Sequence, residues 1–192
     1  MRRLLTLTAS LPLAITLLAA GGQTVEAAAQ PKCAGFKATI VGTNKSEKIV
    51  GTGKKDVIVA RGGNDKILGG GGADIVCGGS GNDRIKSGGG DGGLLYGDKG
   101  KDVIVAQADG IGLYGGAGDD ILSTTRKGTL LEGGAGNDTL WGGPHPDVVD
   151  GGPGNDTIDT LGGNDVDVDG GPGNDVIDGD AGNDKLLGGD GA

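Results

Sequence analysis

The chain is short of most things that organise an ordinary domain. Among 192 residues there are 6 prolines, 2 cysteines, 1 histidine and 1 methionine, and aromatics make up 2%. With so few rings, a core must be drawn from aliphatic side chains, and that core is thin. Scarce proline, and glycine that does not fall at every third position, exclude a collagen-like helix. Two cysteines and one distant histidine do not make a zinc ligand set. Beyond residue 20 no apolar run is long enough to span a bilayer. A basic surplus is missing too: the formal net charge is −9. Neither nucleic acid nor an anionic membrane is therefore an expected partner. The charge is uneven, with Lys and Arg concentrated before residue 101 and Asp dominant after it.

Glycine is what the chain has in excess, at 46 residues, against a usual share of about 7%. Disorder is the first reading of a Gly-rich acidic chain. The phasing of the aliphatic residues argues against it. In Gly133-Gly134-Ala135-Gly136-Asn137-Asp138-Thr139-Leu140-Trp141, a turn of small and polar residues leads into a three-residue strand. Near-copies run from Gly115 to Ser123, Gly151 to Asp159 and Gly170 to Asp178. Self-similarity at about nine residues signals a solenoid.

Turns begin at 42, 51, 60, 69 and 78, then at 88, 97, 106, 115, 124, 133, 142, 151 and 160, then at 170, 179 and 188. This phasing makes Ser87 and Asp169 one-residue insertions. The eighth position holds Ile49, Ile58, Ile67, Val76, Ile85, Leu95, Ile104, Leu113, Leu122, Leu131, Leu140, Val149, Ile158, Ile177 and Leu186. In a three-residue strand the middle side chain points away from its neighbours, so these residues are the expected core. The turn at 160 places Asp167 there, and the extra residue lets Val168 take its place inside.

The sixth position holds Asp56, Asp65, Asp74, Asp83, Asp102, Asp120, Asp138, Asp147, Asp156, Asp165, Asp175 and Asp184. Glu47, Gly93, Ile111 and Thr129 replace it elsewhere. The last three fall in alternate turns, which makes the structural period two turns, about 18 residues. Each coil then has loops on two sides. Side A carries the turns at 42, 60, 78, 97, 115, 133, 151 and 170, and keeps its Asp almost throughout. Side B carries the others and loses Asp in its middle.

Glycine, with asparagine, tolerates the positive φ of tight loops. Such loops aim carbonyls at one point, and an Asp beside them completes an all-oxygen cage suited to Ca²⁺ rather than Mg²⁺. Without cations, stacked carboxylates repel one another, so metal binding and folding are expected to be one event. Turn formation alone is the simpler explanation for Asn and Asp, but a dozen Asp in phase with glycines argue against it.

Gly133 to Trp141, Gly78 to Lys86, Gly115 to Ser123 and Gly151 to Asp159 follow the nonapeptide G-G-x-G-x-D-x-U-x, with U a large aliphatic. The chain thus resembles the hemolysin-type calcium-binding repeat, also called the RTX repeat, over most of its length. That resemblance implies an all-β, right-handed parallel β-roll over 42–192; residues 30–41 lead into it, and Lys37-Ala38-Thr39-Ile40-Val41 reads as a cap strand. It implies several Ca²⁺ ions between successive loops, held by the twelve sixth-position Asp and by loop carbonyls. Gly93, Ile111 and Thr129 depart from the pattern and are not expected to bind. Asp147 lies in a loop whose fourth Gly is replaced, and Asp56 follows Lys54-Lys55, which weakens that site.

Residues 1–29 read as a cleaved export signal. Met1-Arg2-Arg3 gives a positive start, Leu4 to Ala20 is mostly apolar, and small residues follow up to Ala27-Ala28-Ala29. Ala19-Ala20 offers an earlier cleavage site. An uncleaved membrane anchor is the alternative. The expected location is extracellular. In an exported chain an even cysteine count favours a Cys33–Cys77 disulfide over two separate thiols. It would close a loop of roughly 45 residues, worth about 4 kcal/mol in the chain-entropy model.

His145 lies between two prolines, with no Ser or Cys nucleophile motif near it, so no catalytic activity is expected. The outer strand positions after side B turns are unusually apolar and would stack Tyr96 on Tyr114. They suggest a buried face, or one for self-association or an extracellular partner. The expected function is that of a secreted calcium-binding β-roll with folding coupled to calcium. The alternatives are a calcium-dependent adhesion or matrix module that binds a partner or polysaccharide, and a detached repeat module of an RTX exoenzyme.

Overall fold

A computed structural model describes residues 30–191. The predicted export signal, residues 1–29, lies outside the described residues. Strands β1 (Lys32–Cys33) and β2 (Phe36–Lys37) form an antiparallel hairpin, turned by Ala34 and Gly35 at φ 48° and 85°. Two positive-φ residues are what a two-residue hairpin loop needs. The repeats follow as β3 (Ile40–Val41), β4 (Lys48–Val50), β5 (Val57–Val59), β6 (Lys66–Gly70), β7 (Ile75–Ser80) and β8 (Arg84–Gly88). Next come β9 (Leu94–Lys99), β10 (Val103–Val105), β11 (Gly112–Ala117), β12 (Ile121–Ser123), β13 (Leu130–Ala135) and β14 (Thr139–Trp141). The last are β15 (Val148–Asp150), β16 (Thr157–Asp159), β17 (Asp167–Asp169), β18 (Val176–Asp178) and β19 (Leu186–Leu187).

Even strands from β4 to β18 stack into one parallel sheet, and odd strands from β3 to β19 into a second. The chain alternates between them, so each coil gives one strand to each sheet. Paired residues are 18 apart, as in Leu122 with Leu140, or 19 apart where an extra residue intervenes, as in Ile85 with Ile104. This is an all-β parallel solenoid, with no helix among the described residues and hence none able to cross a membrane.

Alternation within each short strand sends the eighth position inward. The thirteen aliphatics from Ile49 to Ile158 at that position are all buried. Val168 is also buried, paired with Val149, as the phase shift predicts. Ile177 is only partly buried and Leu186 is exposed, because few coils remain to cover them.

The register corrects both insertion points. Ser87 is not extra: its carbonyl faces Gly69, and Gly88 pairs with Gly70. Gly90 still stacks on Gly72, whereas Leu94 pairs with Ile75, so the extra residue lies within Asp91–Gly93. Asp169 pairs with Asp150 as an ordinary ninth position. Its coil gains its residue between Asp165 and Val168, where exposed Val166 is looped out.

The hairpin lies over the outer surface of the odd sheet. Cys33 is buried with Val57 and Ile75, beside half-buried Val59, Leu94 and Tyr96. The Cys33–Cys77 disulfide holds it there, with Cα atoms 5.8 Å apart. Part of the apolar strip, expected to be either a buried face or one for a partner, is therefore buried by the chain's own amino-terminal segment. The strip continues into Tyr96 and Tyr114, stacked with centroids 4.6 Å apart. Replacing both cysteines by Ser should lower stability by about 4 kcal/mol, read as a lower urea midpoint at saturating calcium. An unchanged midpoint would mean that the hairpin stays seated without its bond.

Candidate metal centre

Side A loops lead into the even sheet and side B loops into the odd one, and each sixth-position Asp immediately precedes its strand, except Asp165 and Asp184, which stand one residue further back. That placement turns the carboxylate back under the loop. One oxygen, Oδ1, accepts the backbone N–H of the equivalent residue one coil earlier. On side A these bonds run without a break: Glu47 to Asp65, then to Asp83, Asp102, Asp120, Asp138, Asp156 and Asp175, all at 2.6–2.8 Å. Asp138 thus stands between Asp120 and Asp156, as the repeat spacing predicts.

The other oxygen, Oδ2, is buried with no hydrogen-bond partner in all seven of these Asp residues. In six of the seven it points into space reserved by the first glycine of the motif, and for Asp65 that position is Ala60. A methyl group on Gly133 would lie 2.6 Å from both Asp138 Oδ2 and the Gly151 carbonyl oxygen of the next coil. A methyl on Gly151 would meet Asp156 Oδ2 at 2.5 Å and the Gly170 carbonyl at 2.6 Å. Each coil therefore brings an orphaned carboxylate oxygen and a carbonyl oxygen toward one small space. An unsatisfied buried carboxylate oxygen is costly, and native proteins rarely leave one without reason.

The electrostatics follow from that geometry. Burial pushes Asp120 up to about 7, and Asp83, Asp102 and Asp138 up to about 6. The single N–H donor to each opposes this rise, and neighbouring carboxylates in the row add to it. Asp65 and Asp156 are raised for the same reasons.

Side B is different. Asp74 and Asp165 keep an orphaned Oδ2. Asp56 does not: its Oδ2 accepts the Thr52 N–H and hydroxyl at 2.6 and 2.8 Å, and its Oδ1 accepts the Thr39 hydroxyl. These bonds, led by the Thr52 N–H, hold its carboxyl below the usual range. Asp147 accepts from Gly143 N–H at 2.8 Å and Thr129 N–H at 3.3 Å, so both its oxygens are occupied. Burial still pushes it up to about 6. Asp184 accepts from Asp165 N–H but is only partly buried. Where side B lacks Asp, the space is filled by buried Ala108 and Ile111 and by a Thr124–Thr129 hydroxyl contact. Glu47, at the start of side A, is occupied by the Thr43 hydroxyl and N–H.

A second ladder was not foreseen. The fifth residue accepts, through its side chain, the N–H one coil later: Asn64 from Asn82, Asp119 from Asn137, Asn137 from Asn155 and Asn155 from Asn174. The fifth and sixth positions thus stitch neighbouring coils in opposite directions. The recurrence of Asn before Asp was its signal in the sequence.

Among the described residues no group of three His, Cys, Asp or Glu side chains converges on one point. One carboxylate per coil means that most ligands to a cation would be backbone carbonyls. A hard, oxygen-only donor set of this kind suits calcium, and the orphaned oxygens and glycine-lined spaces fit it.

A family model for the RTX calcium-binding nonapeptide repeat, in 4 copies, matches residues 41–76, 50–85, 113–126, 132–167 and 167–192, together more than half of the chain. The chain belongs to this RTX repeat family. No curated protein matches it. The matched residues include every sixth-position Asp except Asp102, which lies in the unmatched stretch 86–112.

Proposed function

We propose that this RTX chain is an exported β-roll whose folding is completed by calcium, without catalytic activity of its own. The observation that carries this reading is the unbroken side A row of seven carboxylates, each with one buried oxygen lacking any partner. Asp65, Asp83, Asp102, Asp120, Asp138, Asp156 and Asp175 would hold the ions, with glycine carbonyls of adjacent coils. Bound calcium would supply the positive charge and the ligand-accepting centre that these oxygens lack. Asp74 and Asp165 offer secondary positions on side B, while Asp56 and Asp147 act as hydrogen-bonded loop caps.

The disulfide supports export, since such bonds persist in oxidising compartments. The absence of a catalytic role rests on chemistry. The acidic side chains inside the roll are spent on the ladder, and His145 neighbours Asp147 in a Pro-flanked loop with no nucleophile motif.

Calorimetric calcium titration of two variants tests the assignment. Asp138→Asn should remove at least one ion or weaken binding about tenfold, because it neutralises an orphaned oxygen. Asp147→Asn should leave the titration near that of the native chain. Equal losses in both would refute side A as the principal row.

A further inference from the structure

The outer face of the even sheet carries a charge gradient that the calcium reading does not use. Seventh and ninth positions point outward on every strand. On β4, β6 and β8 they include Lys48, Lys66, Arg84 and Lys86, with Lys48, Lys66 and Arg84 in direct register. All four are exposed, and none forms an ion pair among the described residues. Between them lies an apolar depression of about 230 Å³, bordered by Leu68. On β10 and β12 the outward residues are half-buried Val103, Val105, Ile121 and Ser123. On β14 Trp141 is 41% exposed. On β16 and β18 the ninth positions are Asp159 and Asp178, in register with each other and bonded only to backbone N–H groups two residues on.

One flat face thus runs from cations through aliphatics and an exposed Trp to carboxylates. We propose that it is the interface of a two-fold dimer of this chain, with the stacking order of one sheet reversed on the other. A two-fold axis along the strands puts β4 and β6 of one copy over β18 and β16 of the second. Seventh positions then face seventh positions, so Lys48 and Lys66 lie over Val176 and Thr157 and reach diagonally, two residues along, to Asp178 and Asp159. Trp141 of the second copy comes to the cationic strands beside the depression, where a cation–π contact with Lys86 or Arg84 forms. The aliphatic middle packs on itself, and each contact occurs twice, as an isologous interface requires. The other face-to-face orientation stacks β4 on β4 and β18 on β18, cationic strands on cationic and acidic on acidic, and charge repulsion rejects it. Eight strands make a face about 34 Å long and only one short strand wide. That lies at the small end of specific interfaces, so the dimer is reversible and micromolar.

Sedimentation velocity in calcium tests this with block variants. The native chain should dimerise between about 1 and 200 µM, more weakly in 500 mM than in 50 mM NaCl. Lys48→Asp/Lys66→Asp and Asp159→Lys/Asp178→Lys should each associate at least tenfold more weakly alone. Mixed together they should form a heterodimer, because every clash becomes a pair. Circular dichroism confirms that each is folded. If a reversal variant does not fold, the neutral versions Lys48→Gln/Lys66→Gln and Asp159→Asn/Asp178→Asn take its place, and both should weaken the native dimer at least tenfold. A native chain that stays monomeric, a mixture that fails to associate, or variants that all dimerise as the native chain does would overturn the proposal. So would a monomer that instead captures poly-glutamate through its cation row.

Discussion

In excess chelator at pH 7.5, the chain from residue 30 onward is expected to lose its β-sheet circular dichroism, and to regain part of it when the pH is brought to 4. The sign follows from the buried carboxylates. In the metal-free fold Asp120 is pushed up to about 7, and Asp83, Asp102, Asp138 and Asp147 up to about 6. In the unfolded chain an Asp titrates near 3.9. Between those values the folded state holds more protons than the unfolded state, so raising the pH destabilises the fold. The cost is absent below about pH 4, grows through the window up to 6–7, and is complete above it. A rise of about two units corresponds to roughly 3 kcal/mol per carboxylate. Several such groups act together against a whole-domain stability of about 5–15 kcal/mol. Asp56 titrates in the opposite sense, since its lowered value is stabilising only above the unfolded range, which sets pH 4 as a floor for the rescue. Calcium reverses the pattern, because its ligands must be deprotonated. The calcium needed for half-folding should therefore stay nearly level from pH 7 to about 5, where neither the unfolded chain nor the calcium-loaded fold holds protons on these groups, while calcium binding to the already folded chain weakens as the pH falls. A chelated chain that is fully folded at pH 7.5 would refute the coupling.

Gly136→Ala should be among the most damaging single substitutions, while Gly128→Ala should be mild. Both glycines have positive φ, 143° and 64°. Gly128 has nothing within 4 Å of an added Cβ, so only the backbone penalty of about 1 kcal/mol applies. At Gly136 the added carbon would run into the carbonyl of Gly118, one coil away. Backbone cannot step aside there without breaking the Gly136 N–H bond to the Pro153 carbonyl or the Gly118 N–H bond to the Ala135 carbonyl. Strain and lost bonds together should exceed about 3 kcal/mol. Urea unfolding at saturating calcium reads the difference, and equal midpoints for the two variants would mean that the coils are not this closely stacked.

The period of the fold was plain in the sequence because one aliphatic and one Asp recur at fixed offsets, and Leu140 and Asp138 occupy the positions that the period assigns. The insertions were misplaced for a physical reason. In Ser87-Gly88-Gly89-Gly90-Asp91-Gly92-Gly93 several registers look alike, and only interstrand hydrogen bonds choose between them. The hairpin over Val57 and Ile75 was hidden for another reason. Cys33 announced a bond to Cys77, but not that the bond would fold the segment across the outside of a sheet. Asp56 and Asp147 hold the sixth position as Asp138 does, and the sequence marked only their loops as departures, through Lys54-Lys55 and the replaced fourth Gly. What sets them apart is the donors supplied by Thr52, Thr39, Gly143 and Thr129, and two of those four lie a full coil away.

The side A row has a collective consequence. Its carboxylates stand one strand spacing apart, about 4.8 Å. Even at the dielectric constant of water, neighbouring unit charges at that distance repel by about 0.9 kcal/mol, more than the thermal energy of about 0.6 kcal/mol. Once ionised, the row behaves as a short linear polyelectrolyte fixed along one edge of the roll. Every cation that settles lowers the potential felt at the positions beside it, so affinity belongs to the row and grows with its length. Neutralising Asp120, near the middle, divides it into two weaker segments, whereas neutralising Asp65 or Asp175 only shortens it.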